Sequence, residues 1–171
     1  MFDPTVFDNL KVAMENQVYD LDNLDGKIHI TNRIDRMELS VMARVFALQF
    51  TLVEQKGVTA EIRLEASLKD LAAELLEQPG ETPACTLRLR FYRQIEDVEK
   101  QCKQIETIIK GIWQPELQAK QTISFVYGQY PASYNLTVEL KFNRKISEDQ
   151  MDDIPDLLQH VLRTLRELGG E

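Results

Sequence analysis

Two histidines, two cysteines and several paired acids are the side chains from which this chain would build a reactive or metal-binding centre. A zinc-type site would need His29 and His160 to converge on a shared carboxylate. His29 falls on the polar parity of an alternating stretch. His160 lies one helical turn after Asp156, where an i,i+4 contact is expected. Nothing in the spacing draws the two rings together. Cys85 and Cys102 are too far apart for a C-x-x-C redox or zinc motif. Both occupy positions that otherwise carry apolar residues, so they read as buried, reduced thiols.

The stretch Asp20-Leu-Asp-Asn-Leu-Asp-Gly26 has the composition of a calcium loop but not its order. Its third Asp arrives one position late, and Thr31 stands where the bidentate Glu belongs. It reads as a helix end followed by a turn. The acidic pairs Glu96-Asp97, Glu148-Asp149 and Asp152-Asp153 all precede helical patterns, where negative charge complements the helix dipole. No G-x-G-x-x-G, G-K-[ST], H-E-x-x-H or G-x-S-x-G motif occurs. No catalytic, cofactor-binding or metal-binding residue is therefore assigned, and a non-enzymatic protein is expected.

Residues suited to contacting a partner are easier to find. Arg88, Arg90 and Arg93 share the polar side of a strand pattern with Tyr92, and Lys141, Arg144 and Lys145 follow a second one. Side by side, these strands would make an electropositive face of the kind that binds anions or RNA. The competing reading is a solvated sheet face laced by cross-strand pairs such as Arg88 with Glu139. Net charge is −8. Residues 1–26 carry −5, residues 145–171 carry −4, and the middle carries +1. Nucleic-acid binding, which rests on cations displacing counterions, is disfavoured by that balance. Tyr130 sits in a turn and Trp113 just past a helix, both suited to an interface, although residues so placed are more often lids on the core. Tyr127 and Tyr134 fit core parity. The candidate interaction surface is Trp113, Tyr130, Tyr92, Arg88 and Arg90.

These side chains must be held by elements that periodicity outlines. Asp3-Pro4 is suited to open a first helix, with Phe2 stapled onto Phe7. Phe7, Leu10, Met14, Val18 and Leu21 continue its apolar face. Ile28, Ile30 and Ile34 alternate with polar residues, and a turn is expected near Asp35-Arg36. Met37, Leu39 and Val41 then read as inward-facing, and a bulge near Met42-Ala43 would switch parity to Phe46, Leu48, Phe50 and Leu52. A helix over 37–48 fits the same residues. Val58, Ala60, Ile62 and Leu64 make a third strand. Ser67 and Asp70 form a capping box for a short helix that stops at Gln78-Pro79-Gly80, in the loop of residues 77–84. Cys85, Leu87, Leu89 and Phe91 line a fourth strand.

Ile95, Val98, Cys102, Ile105, Ile109 and Ile112 form a helical stripe, widened by Ile108 beyond a coiled-coil seam, as suits packing on a sheet. Strands over about 121–128 and 133–142 form a hairpin. Ser147 with Gln150, then Pro155, open a last helix carrying Ile154, Leu158, Val161, Leu165 and Leu168.

The expected fold is α+β: a single domain over residues 1–171, with a mainly antiparallel sheet of about five to six strands and amphipathic helices packed on it. Helix-hairpin-helix halves over 3–78 and 93–168 are a weaker internal repeat. No run of about 18 apolar residues occurs, so no membrane helix is expected. The acidic N-terminus is unlike a signal peptide, and a cytoplasmic location is expected. The expected function is protein binding or assembly, adaptor- or chaperone-like, with a protein partner or a second copy and no cofactor. The alternative is a small-molecule-binding domain or small enzyme, its pocket between the bulged strand and a helix near Arg44, His29 and Tyr127.

Overall fold

A computed structural model describes residues 5–77, 80, 83–115 and 117–170. The described chain is α+β. It runs α1 (Thr5–Asn23), β1 (Ile28–Glu38), β2 (Ala43–Leu52), β3 (Thr59–Ala66), α2 (Leu68–Leu75), β4 (Thr86–Ile95), α3 (Val98–Ile112), β5 (Gln118–Ser124) and β6 (Tyr134–Lys141). A 3-10 turn (Glu148–Asp153) and α4 (Ile154–Gly169) complete it. The strands form one antiparallel sheet in the order β1-β2-β3-β4-β6-β5. The expected helix start at Asp3-Pro4, with its Phe2 staple, and the stop at Gln78-Pro79 lie outside the described residues.

Alternation builds the sheet's apolar side. One row crosses five strands through the pairs Leu48–Ile62, Ile62–Leu89, Leu89–Leu140 and Leu140–Ala119. Helical spacing supplies the answering layer: Leu10, Met14 and Val18 of α1, Ile105, Ile109 and Ile112 of α3, and Leu158, Val161, Leu165 and Leu168 of α4. All belong to one continuous core. The α3 stripe thus covers the chain's own sheet, with Val98, Cys102 and Ile108 half-buried at its margins. Ile95 belongs to β4 rather than to the helix, which Asp97 caps through the Lys100 N–H at 3.1 Å. The capping boxes Ser67/Asp70 and Ser147/Gln150 form as their spacing predicts, the second opening the 3-10 turn.

The first hairpin departs from its sequence pattern. The turn lies at residues 39–42 rather than at Asp35-Arg36, and 37–48 is strand-turn-strand, not helix. The bulge is not at Met42-Ala43 but at Thr31, where the register shifts between Ile30 and Asn32. That extra residue puts Ile34 on the face away from the helices and turns Arg33 and Asp35 towards them, opposite Leu48 and Phe46. Helix α1 answers with matching charge. Lys11 reaches Asp35 at 2.5 Å, Glu15 accepts from Arg33 at 2.6 Å, and Asp8 accepts from Arg44 at 2.8 Å. The Arg44 guanidinium lies 4.4 Å from the Phe7 ring centroid, a cation–π contact.

Because Leu48 is fully buried at the β2 end of the five-strand row, Leu48→Ala is expected to cost about 2–5 kcal/mol. Urea unfolding checks this, and a loss below about 1 kcal/mol would mean that the row is not tightly packed.

Candidate functional site: an apolar end of the sheet

The pairs Arg44–Ala66, Glu65–Thr86 and Arg88–Lys141 set one end of the sheet. The tip of the β1–β2 hairpin, the start of α2, the end of β6 and the 3-10 turn gather there. Polar contacts weld its underside. The Glu74 carboxylate of α2 accepts from the Val6 N–H at 2.9 Å, taking up one of the unpaired amides at the start of α1. Asn9 donates to Glu148 at 2.8 Å, and Lys145 pairs with Asp70.

The upper surface is different in kind. Leu39 is 74% exposed and Leu76 67%, and Met37, Val41 and Met42 of the hairpin and Leu68 and Leu75 of α2 are exposed as well. Glu38 fixes the turn by accepting from the Ser40 hydroxyl at 2.9 Å. Met42 adopts φ 52°, a left-handed conformation that favours glycine. Met37, Leu39 and Val41 read as inward-facing from the sequence. The structure corrects this: Met37 keeps the helix-side parity of Arg33 and Asp35 but is exposed at the end of β1, and Leu39 and Val41 lie in the exposed turn. In the sequence nothing marks these residues as exposed, because Met37, Leu39 and Val41 alternate with Glu38 and Ser40 as core-facing strand residues do. Glu148, Asp149, Asp152, Asp153 and Asp156 lie on the 3-10 turn and first turn of α4 at the same end.

Nearby, a cleft of about 640 Å³ opens between the ends of β4 and β6 and helices α3 and α4, with Trp113, Phe142, Leu157, His160, Arg144 and Asp156 in its walls. Trp113 is 7% exposed. Its indole N–H donates to Thr164 Oγ1 at 3.0 Å, and its ring lies 5.4 Å from that of His160. Trp113, a candidate interface residue from its place just past α3, is a lid on the core, pinned by a residue of α4. His160 Nδ1–H donates to the Asp156 backbone carbonyl at 2.7 Å, so its partner is the main chain rather than the Asp156 carboxylate.

The other candidate residues lie elsewhere. Tyr92, Arg88 and Arg90 occupy the sheet face opposite the helices, in a ladder of alternating charge. Glu65 accepts from Arg63 at 2.5 Å and pairs with Arg88 at 3.5 Å. Glu139 accepts from Arg88 at 2.9 Å and Arg90 at 3.1 Å, and Glu61 accepts from Tyr92 at 3.0 Å. The Arg88–Glu139 pair thus forms, diagonally, and this strand presents no free electropositive face. Arg93 bonds the Leu168 carbonyl. Tyr130 is 92% exposed, and Tyr127 is 96% exposed rather than in the core, because β5 ends at Ser124. Arg44, His29 and Tyr127 are not brought together. Arg44 is held by Asp8, while His29 and Tyr127 stand exposed. Burial, reinforced by Asp70 and Glu74, pushes the Cys85 thiol up to about 12, which keeps it protonated and inert as a nucleophile at neutral pH. Cys102 is half-exposed, not buried.

Among the described residues, no group of three His, Cys, Asp or Glu is placed to hold a metal ion, and no helix is long and apolar enough to cross a membrane. The chain matches no protein-family model, no curated protein and no solved structure.

Burial tends to raise the Glu139 carboxyl, but hydrogen bonds from Arg88 and Arg90 outweigh it and hold the group below its ordinary range. Burial is likewise overcome at Asp35 by Lys11, and at Asp70 by Lys145 and Ser67. Each group contributes stability that is present above its unfolded-state pKa and lost as pH falls through the folded one. Glu139→Gln is therefore expected to flatten the acid limb of the stability profile, read from urea midpoints across pH. An unchanged slope would show that the ladder contributes nothing at this position.

Proposed function

We propose that this protein binds another protein, in an adaptor- or chaperone-like role without chemistry of its own, through the apolar end built by the β1–β2 hairpin and α2. One observation carries the reading: seven large apolar side chains stand exposed on two elements that share one end of the sheet. Bare apolar surface gathered at one end of a molecule marks interaction sites, whereas single exposed residues do not. Two of the seven are methionines, which adapt to varied partner surfaces. The acidic residues of the 3-10 turn and α4 favour a partner whose apolar segment is flanked by basic residues. Two free cysteines agree with a reducing, cytoplasmic setting.

The triple variant Leu39→Ser/Val41→Ser/Leu76→Ser changes only exposed positions, so its unfolding midpoint is expected to stay close to wild type. Its affinity for a cross-linked and purified partner is expected to fall about tenfold or more. Leu24→Ser, at a lone exposed leucine, is the control and should bind normally. Equal binding by the triple variant would remove the proposal.

The Trp113 cleft supports a second reading, as a site for an apolar or aromatic small molecule. Trp113 is the one tryptophan in the chain, so its emission reports on that cleft. Anilinonaphthalene sulfonate is expected to quench it, and Leu157→Glu to abolish the quenching. Quenching that persists in the variant would count against the cleft.

A further inference from the structure

The two edges of the sheet are treated differently. An edge strand leaves a row of N–H and C=O groups open to another chain, and proteins blunt such edges with bulges and inward-pointing charges. Strand β1 carries both devices: the Thr31 bulge, and Arg33 and Asp35 turned to the helix side. Strand β5, Gln118–Ser124, carries neither. It pairs with β6 in unbroken register, contains no proline, and has Lys120 as its one charge. At its midpoint, Gln121 donates through Nε2 to the Cys102 carbonyl at 2.9 Å, while its Oε1 is buried and receives no hydrogen bond from any described group. A buried acceptor without a donor costs about 1–3 kcal/mol.

We propose that β5 pairs antiparallel with β5 of a second copy of this chain, about a two-fold axis at Gln121, joining the two sheets edge to edge. A second copy fits this edge because the sequence of β5 is complementary to itself about that residue. On the helix side, Ala119 meets Ile123 of the other copy and Leu117 meets Phe125, whose side chain is otherwise exposed. On the opposite side, Gln118 meets Ser124 and Lys120 meets Thr122, so no like charges face each other. On the axis Gln121 meets Gln121, so no charge faces its like there either. Helix α3, which lies over β5, brings a stripe in the order Glu99, Lys103, Glu106, Lys110. Run antiparallel past its own copy, that order sets acid against base. This surface is separate from the hairpin and α2 end, so it stands or falls on its own.

Sedimentation equilibrium of the full chain is expected to show a reversible dimer of the 19.8 kDa chain. Gln121→Glu and Gln121→Lys each place like charges on the axis, and each alone is expected to weaken the dimer about 100-fold. Mixing the two variants should restore it as a heterodimer. Thr122→Glu and Thr122→Lys alter an exposed position, so they test the register even where the Gln121 variants fold poorly. The first sets a carboxylate opposite Lys120 of the second copy and should tighten the dimer about three- to tenfold. The second should weaken it by a similar factor. A wild-type chain that stays monomeric overturns the proposal. So does a dimer indifferent to Thr122→Glu and Thr122→Lys, or well-folded Gln121 variants that fail to complement each other.

Discussion

Among the described residues the sheet has helices on one side only, and the side they leave bare has to satisfy itself. Its centre is Glu61, 2% exposed on a face that no described helix covers. A carboxylate withdrawn from water is costly unless its oxygens are bonded. Gln49 and Tyr92 donate to it at 3.1 and 3.0 Å, with Arg90 at 3.5 Å and Arg63 at 4.0 Å. These partners come from β2, β3 and β4, and Arg90 extends the set to Glu139 on β6. A slip of one residue between any two of these strands would send the charges to the helix side and the leucines to water. The ladder therefore disfavours wrong registers as well as solvating the face. It also uses up the arginines that would otherwise form an anion-binding surface. Tyr92 is drawn in as well: burial and Glu61 raise its phenol, which keeps it a donor.

At the β1 edge the same requirement is met by different means. The bulge at Thr31 turns Arg33 and Asp35 towards α1, and the helix supplies Glu15 and Lys11 in return. The aliphatic and aromatic surroundings take part too, with Arg33 lying 5.4 Å from the Phe46 ring centroid. Charged residues facing inward at an edge discourage another strand from docking, because pairing would strand them away from water. The helix side of β5 holds Ala119, Gln121 and Ile123 instead. The contrast between the two edges, rather than the exposure of either, is what singles out β5.

Much of the fold was legible in the sequence wherever burial follows one undiluted period. The strands through Ile62, Leu89 and Val138 and the helices through Ile105 and Val161 repeat at two or at three-and-four, and each formed. The first hairpin misled for a physical reason. Ile28, Ile30 and Ile34 keep even spacing, so a single extra residue at Thr31 leaves no mark on the pattern while reversing the faces beyond it. The turn at residues 39–42 contains no Gly, Pro or Asn, and Met42 takes the left-handed conformation in their place. Its apolar residues therefore read as core. For Trp113 the sequence leaves interface and core lid both open, because its anchor, Thr164, lies 51 residues away on another helix and has no local signature. The candidate site was least legible of all. Exposed apolar residues look the same as buried ones in a sequence, and only packing tells them apart.

Lone exposed residues such as Val12, Leu24 and Val53 need no explanation on a surface that is largely apolar in any folded protein. The hairpin and α2 group differs because seven such residues gather at one end of the sheet and because a strained turn helps to present them. Edge pairing through β5 would leave that group untouched, since β1 and β5 lie at opposite edges of the sheet. A two-fold axis at Gln121 would then carry two copies of the apolar end at diagonally opposed corners of a doubled sheet, both beside the helix layer. Such an arrangement favours a partner with two apolar segments, or two tethered partners. The second contact would then form at high effective concentration, and binding would strengthen with no new interaction at either end.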